Sequence, residues 1–139
     1  MPDKGSTKPL ADKLGLRPGM EIAILNAPDD IDSLLGAIRD TLTIHQALPS
    51  FRLEWLQVFA ETAESLDEEF PRLVAALQPN GQLWISWRKG QKSLGSLNEN
   101  LVRDSGLTNG VVDVKVVSVN EVWSGLKFVI RLRDRETQT

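Results

Sequence analysis

Seven residues of this sequence have side chains or positions suited to holding a ligand, and they fall where short apolar segments begin or end. Aromatic rings together with an amide, an imidazole and a few charges are the usual lining of a small-molecule pocket. The alternative is plain packing, in which the amide bonds its own loop and the tryptophans cover the end of the core. The candidate ligand-binding residues are Asn26, Pro28, Asp29, His45, Trp87, Lys89 and Trp123.

The sequence offers no residue that can be assigned as catalytic or as a metal ligand. His45 is the sole histidine and has the chemistry of a general base, although a partly buried structural role is the alternative. Asp29, Asp30 and Asp32 lack the spacing of a calcium loop, and the chain has no cysteine. No serine lies in a nucleophile-elbow motif. The sequence therefore leaves enzymatic activity undecided and gives more support to a protein without catalysis.

Composition indicates one soluble domain. The chain has 139 residues, of which 41% are hydrophobic and 25% charged, and no apolar run is long enough to span a membrane. A net charge of -3 gives no reason to expect binding to nucleic acid or to an anionic membrane. Residues 1–8 predict a flexible tail without a targeting signal, and hence a cytoplasmic location. We expect a single domain over residues 9–133 and a second tail over 134–139.

Alternating strand and helix signals predict an α/β domain with a mostly parallel sheet of about six strands, whose last two strands form an antiparallel hairpin. Pro71 should kink or divide the third helix, and Ser96 with Glu99 has the spacing of a capping box. The predicted strands cover residues 21–25, 41–45, 51–59, 82–87, 111–119 and 123–133. The predicted helices cover residues 9–14, 31–38, 62–77 and 97–105.

This topology places the candidate residues at one edge of the sheet. The carboxyl ends of parallel strands share an edge, and the exit loop of the first strand borders the crevice where ligands bind in open α/β sheets. Asn26 lies in that loop. Asp29, Asp30 and Asp32 put negative charge at the start of the following helix, which disfavours a phosphate there.

The order of elements, together with a local motif, resembles class I S-adenosylmethionine-dependent methyltransferases. The segment from Leu77 to Trp87, LQPNGQLWISW, is similar to their helix, Pro-Gly-Gly turn and following strand. The resemblance implies a three-layer Rossmann-like sheet with an antiparallel last strand, shortened by one strand and one helix.

Four further segments, spread over about residues 9 to 133, are similar to a bacterial family of short methyltransferase-like domains that carries no assigned reaction. They are LGLRPG at 14–19, LNAP at 25–28, WISW at 84–87 and WSGLKFV at 123–129. Cofactor-binding methyltransferases usually have an acid and glycines at the exit of the first strand and an acid after the second. In this chain, the exit of the first strand has the sequence Leu25 to Pro28, and the second strand ends at His45, which Gln46 follows.

These observations lead to three hypotheses of function. The first is a non-catalytic module with a degenerate methyltransferase-like fold, which binds a small ligand or a protein partner and uses no cofactor. The second is a methyltransferase that binds S-adenosylmethionine through an atypical loop. Asp29 and Asp30 would then attract the positive charge of that cofactor. The third is a structural module that self-associates, as a homodimer, through an exposed strand edge.

Overall fold

Six strands in residues 9–135, the part of the chain that the computed structural model describes, form one sheet. The strands are β1 Glu21–Leu25, β2 Thr43–His45, β3 Leu53–Phe59, β4 Leu77–Arg88, β5 Val111–Ser118 and β6 Trp123–Ile130. Their order across the sheet is β2-β1-β3-β4-β6-β5. The first four pair in parallel, and β6 runs antiparallel to both β4 and β5. The predicted fold class is confirmed.

Helices cover both faces of this sheet, so that it has a hydrophobic core on each side. The helices are α1 Leu10–Lys13, α2 Ile31–Leu35, a 3-10 helix Gly36–Thr41, α3 Ala63–Ala75, α4 Glu99–Thr108 and α5 Leu132–Arg135. α1, α2 and the 3-10 helix pack over Ile22, Ile24 and Trp84. α3 and α4 pack over the opposite face.

The α1 side is held by two buried tryptophans of the central strands. Trp55 of β3 and Trp84 of β4 both donate their indole N–H to the carbonyl oxygen of Leu14, at 2.8 and 3.1 Å. Both rings are fully buried, and an indole N–H inside a protein needs an acceptor. The segment that follows α1 is therefore fixed to the middle of the sheet.

The α3 side contains the larger core. Thr62 caps α3 by accepting a hydrogen bond from the amide of Ser65. α3 then buries Leu66, Phe70 and Leu73 on one face, because their spacing places them one turn apart. The sequence predicts that Pro71 kinks or divides the helix; α3 is continuous from Ala63 to Ala75, so the proline does not divide it. Buried side chains on both sides of the proline hold the helix together.

Some element boundaries differ from the sequence prediction. α4 begins after Asn98, whose side chain accepts from the amide of Leu101, so the cap is Asn98 and not Ser96. Gly106 lies inside α4 and does not end it. β4 begins at Leu77, where the sequence predicts helix, and its pairing with β3 includes a register shift. β6 ends at Ile130.

The limits of the domain stay a prediction. Residues 1–8 and 136–139, on which the predicted tails fall, lie outside the described residues. α5, Leu132–Arg135, overlaps the start of the predicted C-terminal tail. No helix within residues 9–135 is both long and apolar enough to cross a membrane.

Candidate functional site

The loop that leaves β1 turns sharply at Asn26. Within residues 9–135 this is the one non-glycine residue with a positive φ, at 58°. Asparagine tolerates this left-handed conformation better than most residues do. Two residues further on, the carbonyl oxygen of Pro28 accepts a hydrogen bond from the amide of Ile31 at 3.1 Å, and α2 begins there. The loop thus returns the chain over the α1 side of the sheet.

A cavity of about 390 Å³ lies between this loop, α2, the 3-10 helix and the end of β2. It opens at the carboxyl ends of β1 and β2, which is the edge where open α/β sheets bind ligands. Its volume is within the range of small-molecule sites. It is lined by Ile24, Asn26, Ala27, Pro28, Ile31, Asp32, Arg39, Ile44 and Gln46.

The lining of the cavity combines an apolar wall with four polar side chains. Arg39 donates from Nε to Oδ1 of Asp32 at 2.8 Å, so the two charges largely neutralise each other. Asn26 and Gln46 add side-chain amides, each of which both donates and accepts. The arrangement suits a neutral or zwitterionic molecule with an apolar body, and it does not form a cationic phosphate site.

Two of the seven predicted ligand-binding residues line this cavity, namely Asn26 and Pro28. Asp29 is exposed in the same loop but is not part of the lining. The predicted position of the site, beside the exit of β1, therefore coincides with an open cavity, while the predicted set of residues is only partly brought together there.

His45 lies on the opposite face of the sheet from the cavity. Side chains alternate along a strand, and the neighbouring Ile44 faces the cavity. Nε2 of His45 lies 2.6 Å from Oε2 of Glu21, and its ring meets Phe51 edge-on at 5.6 Å between centroids. The imidazole thus has a carboxylate and an aromatic partner, and it does not face a ligand in this cavity.

Trp87 and Trp123 belong to opposite cores. Trp87 is 5% exposed and packs in the core beneath α3 and α4. Trp123 is 4% exposed in the core of the α1 side, where it meets Phe59 edge-on at 5.0 Å. The sequence places both tryptophans at one edge, but the pairing of Trp87 with Ser124 puts them on different faces. They do not form one pocket.

Lys89 and its neighbour Arg88 form hydrogen bonds with other residues at the edge of the sheet where β3 and β4 end. Nζ of Lys89 donates to Oγ of Ser118 at 2.6 Å. Arg88 pairs with Glu61 through two hydrogen bonds of 3.1 and 3.3 Å, and its guanidinium lies 4.6 Å from the ring centroid of Trp123. These groups join the ends of β3, β4 and the hairpin, and none of them lines the cavity.

Sequence reasoning missed two polar features beside the cavity. The first is the ion pair between Arg39 and Asp32. The second is Gln57, a polar residue of β3 with two apolar residues on each side, which is 3% exposed. Its Nε2 donates to Oγ of the fully buried Ser86 at 2.5 Å, and its Oε1 has no hydrogen-bond partner. A glutamine in the middle of a buried strand was the available signal.

Two ionisable groups with a shifted pKa, Lys127 and Arg103, lie outside the cavity. Across residues 9–135, no three His, Asp or Glu side chains are grouped so as to hold a metal ion. The pKa of Lys127 is lowered, first by burial and then by Lys115 across the hairpin, and hydrogen bonds to Glu99 and Asp113 raise the pKa of Arg103.

Neither family models nor curated proteins match this chain. Solved structures do. Magnesium protoporphyrin IX methyltransferase from Synechocystis PCC 6803, with bound SAM, superposes with a TM-score of 0.60 at 11% identity, over 88% of this chain and 74% of that one. A SAM-dependent methyltransferase from Aquifex aeolicus gives 0.55 at 14% identity, over 88% of each chain.

A third structure, the ribosomal protein L11 methylase from Lactobacillus delbrueckii subsp. bulgaricus, gives a TM-score of 0.59 at 12% identity, over 88% of this chain and 75% of that one. At these identities the likeness establishes the fold alone. Residues 9–135 form a six-stranded α/β sheet domain with the fold of class I S-adenosylmethionine-dependent methyltransferases.

Proposed function

We propose that this chain is a small-molecule-binding domain whose ligand occupies the cavity beside Asn26. The observation that carries the proposal is the position of the cavity, at the carboxyl ends of β1 and β2 and next to a loop held in a left-handed turn. Backbone conformations of this kind recur where a protein approaches a ligand closely.

The size of the cavity and the chemistry of its lining favour a nucleoside-like molecule. Ile24, Ile31 and Ile44 offer an apolar surface to a flat ring. Asn26 and Gln46 offer amide donors and acceptors to hydroxyl groups. The Synechocystis enzyme was solved with bound SAM and with bound SAH, which makes these adenosyl compounds the first probes for this chain.

The residues present fit the nucleoside part of such a compound. Asn26 provides the left-handed turn that a glycine would otherwise supply in a loop without glycine. Gln46, at the exit of β2, replaces the acid that the resemblance leads one to expect there, and an amide oxygen also accepts hydrogen bonds from a ribose diol. When bound, S-adenosylmethionine would supply an electrophilic methyl group.

We favour binding without methyl transfer. Among the described residues that line the cavity, the carboxylate is Asp32, which Arg39 already engages, and the imidazole of His45 lies on the other face of the sheet. A general base would have to come from the substrate or from elsewhere. Methyltransferase activity is the second candidate, and the fold together with the position of the cavity supports it. It predicts transfer of a labelled methyl group from SAM to small-molecule acceptors.

Thermal unfolding with and without SAM or SAH tests the proposal. Ligand at 100 times its dissociation constant should stabilise the fold by roughly 2.7 kcal/mol, which raises Tm by several degrees for a chain of this size. Ala27→Trp should abolish the shift, because Ala27 is exposed and lines the cavity. Ala37→Trp is the matched control, since Ala37 is exposed on the 3-10 helix outside the lining.

Two results would count against the proposal. The first is an unchanged Tm at millimolar concentrations of both compounds, which would exclude adenosyl ligands. The second is an equal shift in both tryptophan variants, which would show that the ligand binds outside this cavity. After the first result, the partner-binding and self-association hypotheses would come first.

A further inference from the structure

Behind the cavity, Gln57 lines a small void, and its Oε1 has no hydrogen-bond partner. The void has a volume of about 10 Å³, and the side chains that surround Gln57 in it are apolar, among them Leu14, Leu34, Trp55 and Phe59. Ile24 and Ile31 line both the void and the cavity, so these two side chains are the wall between them. Gln57 lies directly across from Ile24 in the pairing of β1 and β3.

The unpartnered oxygen calls for an explanation, because buried polar atoms are nearly always hydrogen-bonded. A trapped water explains it poorly. The void has room for about one water at most, and a buried water needs two to four polar partners, whereas Gln57 is the polar residue among those around the void. The oxygen therefore has an acceptor site that the fold itself leaves unused.

We propose that Gln57 is the inner recognition group of the ligand site, with Oε1 accepting a hydrogen bond from a neutral N–H or O–H donor at the buried end of the ligand. This inference rests on the proposed function and adds the chemical class of the inner group. The donor is neutral, because the apolar surroundings would strip an ammonium of its hydration without supplying a countercharge.

The wall between void and cavity is placed to open. Ile31 is the first residue of the five-residue helix α2, and it is only half-buried. The N-cap residue of that helix, Asp30, makes no side-chain capping bond. A change of the Ile31 rotamer joins the two spaces while β1 and β3 stay in place. Ser86 fixes the amide through its hydrogen bond with Nε2, which leaves Oε1 as the end of the side chain that can accept a bond from a ligand.

The test measures, by calorimetric titration, the affinity of adenosine analogues that lack one donor group for the wild type and for variants that lack a glutamine side chain. The probes are adenosine, purine riboside, 2′-deoxyadenosine, 3′-deoxyadenosine and 5′-deoxyadenosine, so that each analogue lacks one neutral donor of adenosine. The proteins are the wild type, Gln57→Leu and Gln82→Leu. Gln82 is the matched control, because its Oε1 is also buried and unpartnered but its neighbour is Gly15, away from the cavity.

The inference predicts that one donor deletion weakens binding to the wild type and to Gln82→Leu by about 5- to 10-fold, the usual effect of one neutral hydrogen bond. The same deletion should have no effect on Gln57→Leu, whose affinity for adenosine is already lower by that factor. Gln57→Leu/Ser86→Ala should unfold at or above the wild-type Tm, because both partners of the buried pair become apolar.

Other outcomes overturn the inference and separate it from the proposed function. The inference is wrong, and the cavity proposal stands, if adenosine binds all three proteins equally and if removing each donor of adenosine changes the affinity of the wild type and of Gln57→Leu by the same factor. If Gln57→Leu/Ser86→Ala loses stability while adenosine affinity holds, Gln57 has a structural role only. If adenosine fails to bind the wild type, the nucleoside proposal fails and the inference fails with it.

Discussion

At the scale of single residues, Asn26 has two roles that mutation can separate. Its backbone holds a left-handed turn, and its side chain lines the cavity. Asn26→Gly keeps the backbone conformation and removes the amide, whereas Asn26→Ala removes both advantages. We predict that Asn26→Ala loses about 1 kcal/mol of folding stability relative to Asn26→Gly, since alanine is strained at positive φ.

Ligand binding should respond to the two substitutions equally. If Asn26 contacts the ligand, both variants lose SAH affinity by roughly 5-fold, the effect of one hydrogen bond. Denaturant unfolding and calorimetric titration measure the two quantities separately. Affinity that falls only in Asn26→Ala would mean that the amide makes no contact and that loop geometry alone matters.

Single residues also show where the sequence prediction and the structure differ. Asn26 follows β1 and His45 ends the neighbouring parallel strand β2, and on that ground the sequence predicts both in one pocket. The alternation along β2 decides otherwise, because Ile44 pairs with Ile22 on the α1 side and His45 must then face away. The same alternation separates Trp87 from Trp123. The sequence predicted the strands. The face of the sheet to which each residue at the strand ends points depends on the register of strand pairing, which the sequence did not give.

At the scale of elements, the packing of α4 on β6 depends on one glycine. A Cβ built on Gly106 would lie 2.1 Å from Cε1 of Phe128, a ring that is fully buried and meets Phe70 edge-on at 5.6 Å. The sequence predicts that this helix ends at residue 105, directly before the glycine. In the structure it is the point where the helix comes closest to the sheet.

We predict that Gly106→Ala destabilises the fold by about 1–2 kcal/mol. Alanine gains about 1 kcal/mol of helix propensity, but so close a clash with a buried ring costs roughly 2–3 kcal/mol, the upper part of the usual range for overpacking. Thr108→Ala is the control, because Thr108 is exposed in the same helix and gains propensity without a clash. Urea unfolding checks both. Equal or higher stability of Gly106→Ala would show that α4 moves away from the sheet at no cost.

The elements themselves were predictable to different degrees. Dense β-branched and apolar runs marked the strands, and the stripe Leu66, Phe70 and Leu73 marked α3. Helix ends depended on competing signals: Ser96 with Glu99 suggested a capping box, but Asn98 lies closer to the helix and its amide oxygen takes the cap. Local sequence does not decide such cases, because the packing of Leu97 and Val102 in the core selects the register.

At the scale of the whole molecule, the resemblance predicted a mostly parallel sheet with an antiparallel last strand, and the structure adds the order of the strands. The order β2-β1-β3-β4-β6-β5, with one antiparallel strand between two others, follows from no local pattern in the chain. The cavity is also a property of the whole fold. Its lining comes from the strands β1 and β2, the exit loop, α2 and the 3-10 helix, so it exists only once these elements are assembled.

The central claim is that this cavity, and not the remainder of the edge, receives a small ligand. The most direct test is the change in backbone amide resonances when SAH is added to the isotope-labelled chain. We predict the largest changes at Asn26, Ile31, Asp32 and Gln46, with little change at Lys89 or around Glu61. Changes centred on Glu61 and Arg88, or no changes at millimolar SAH, would contradict the claim.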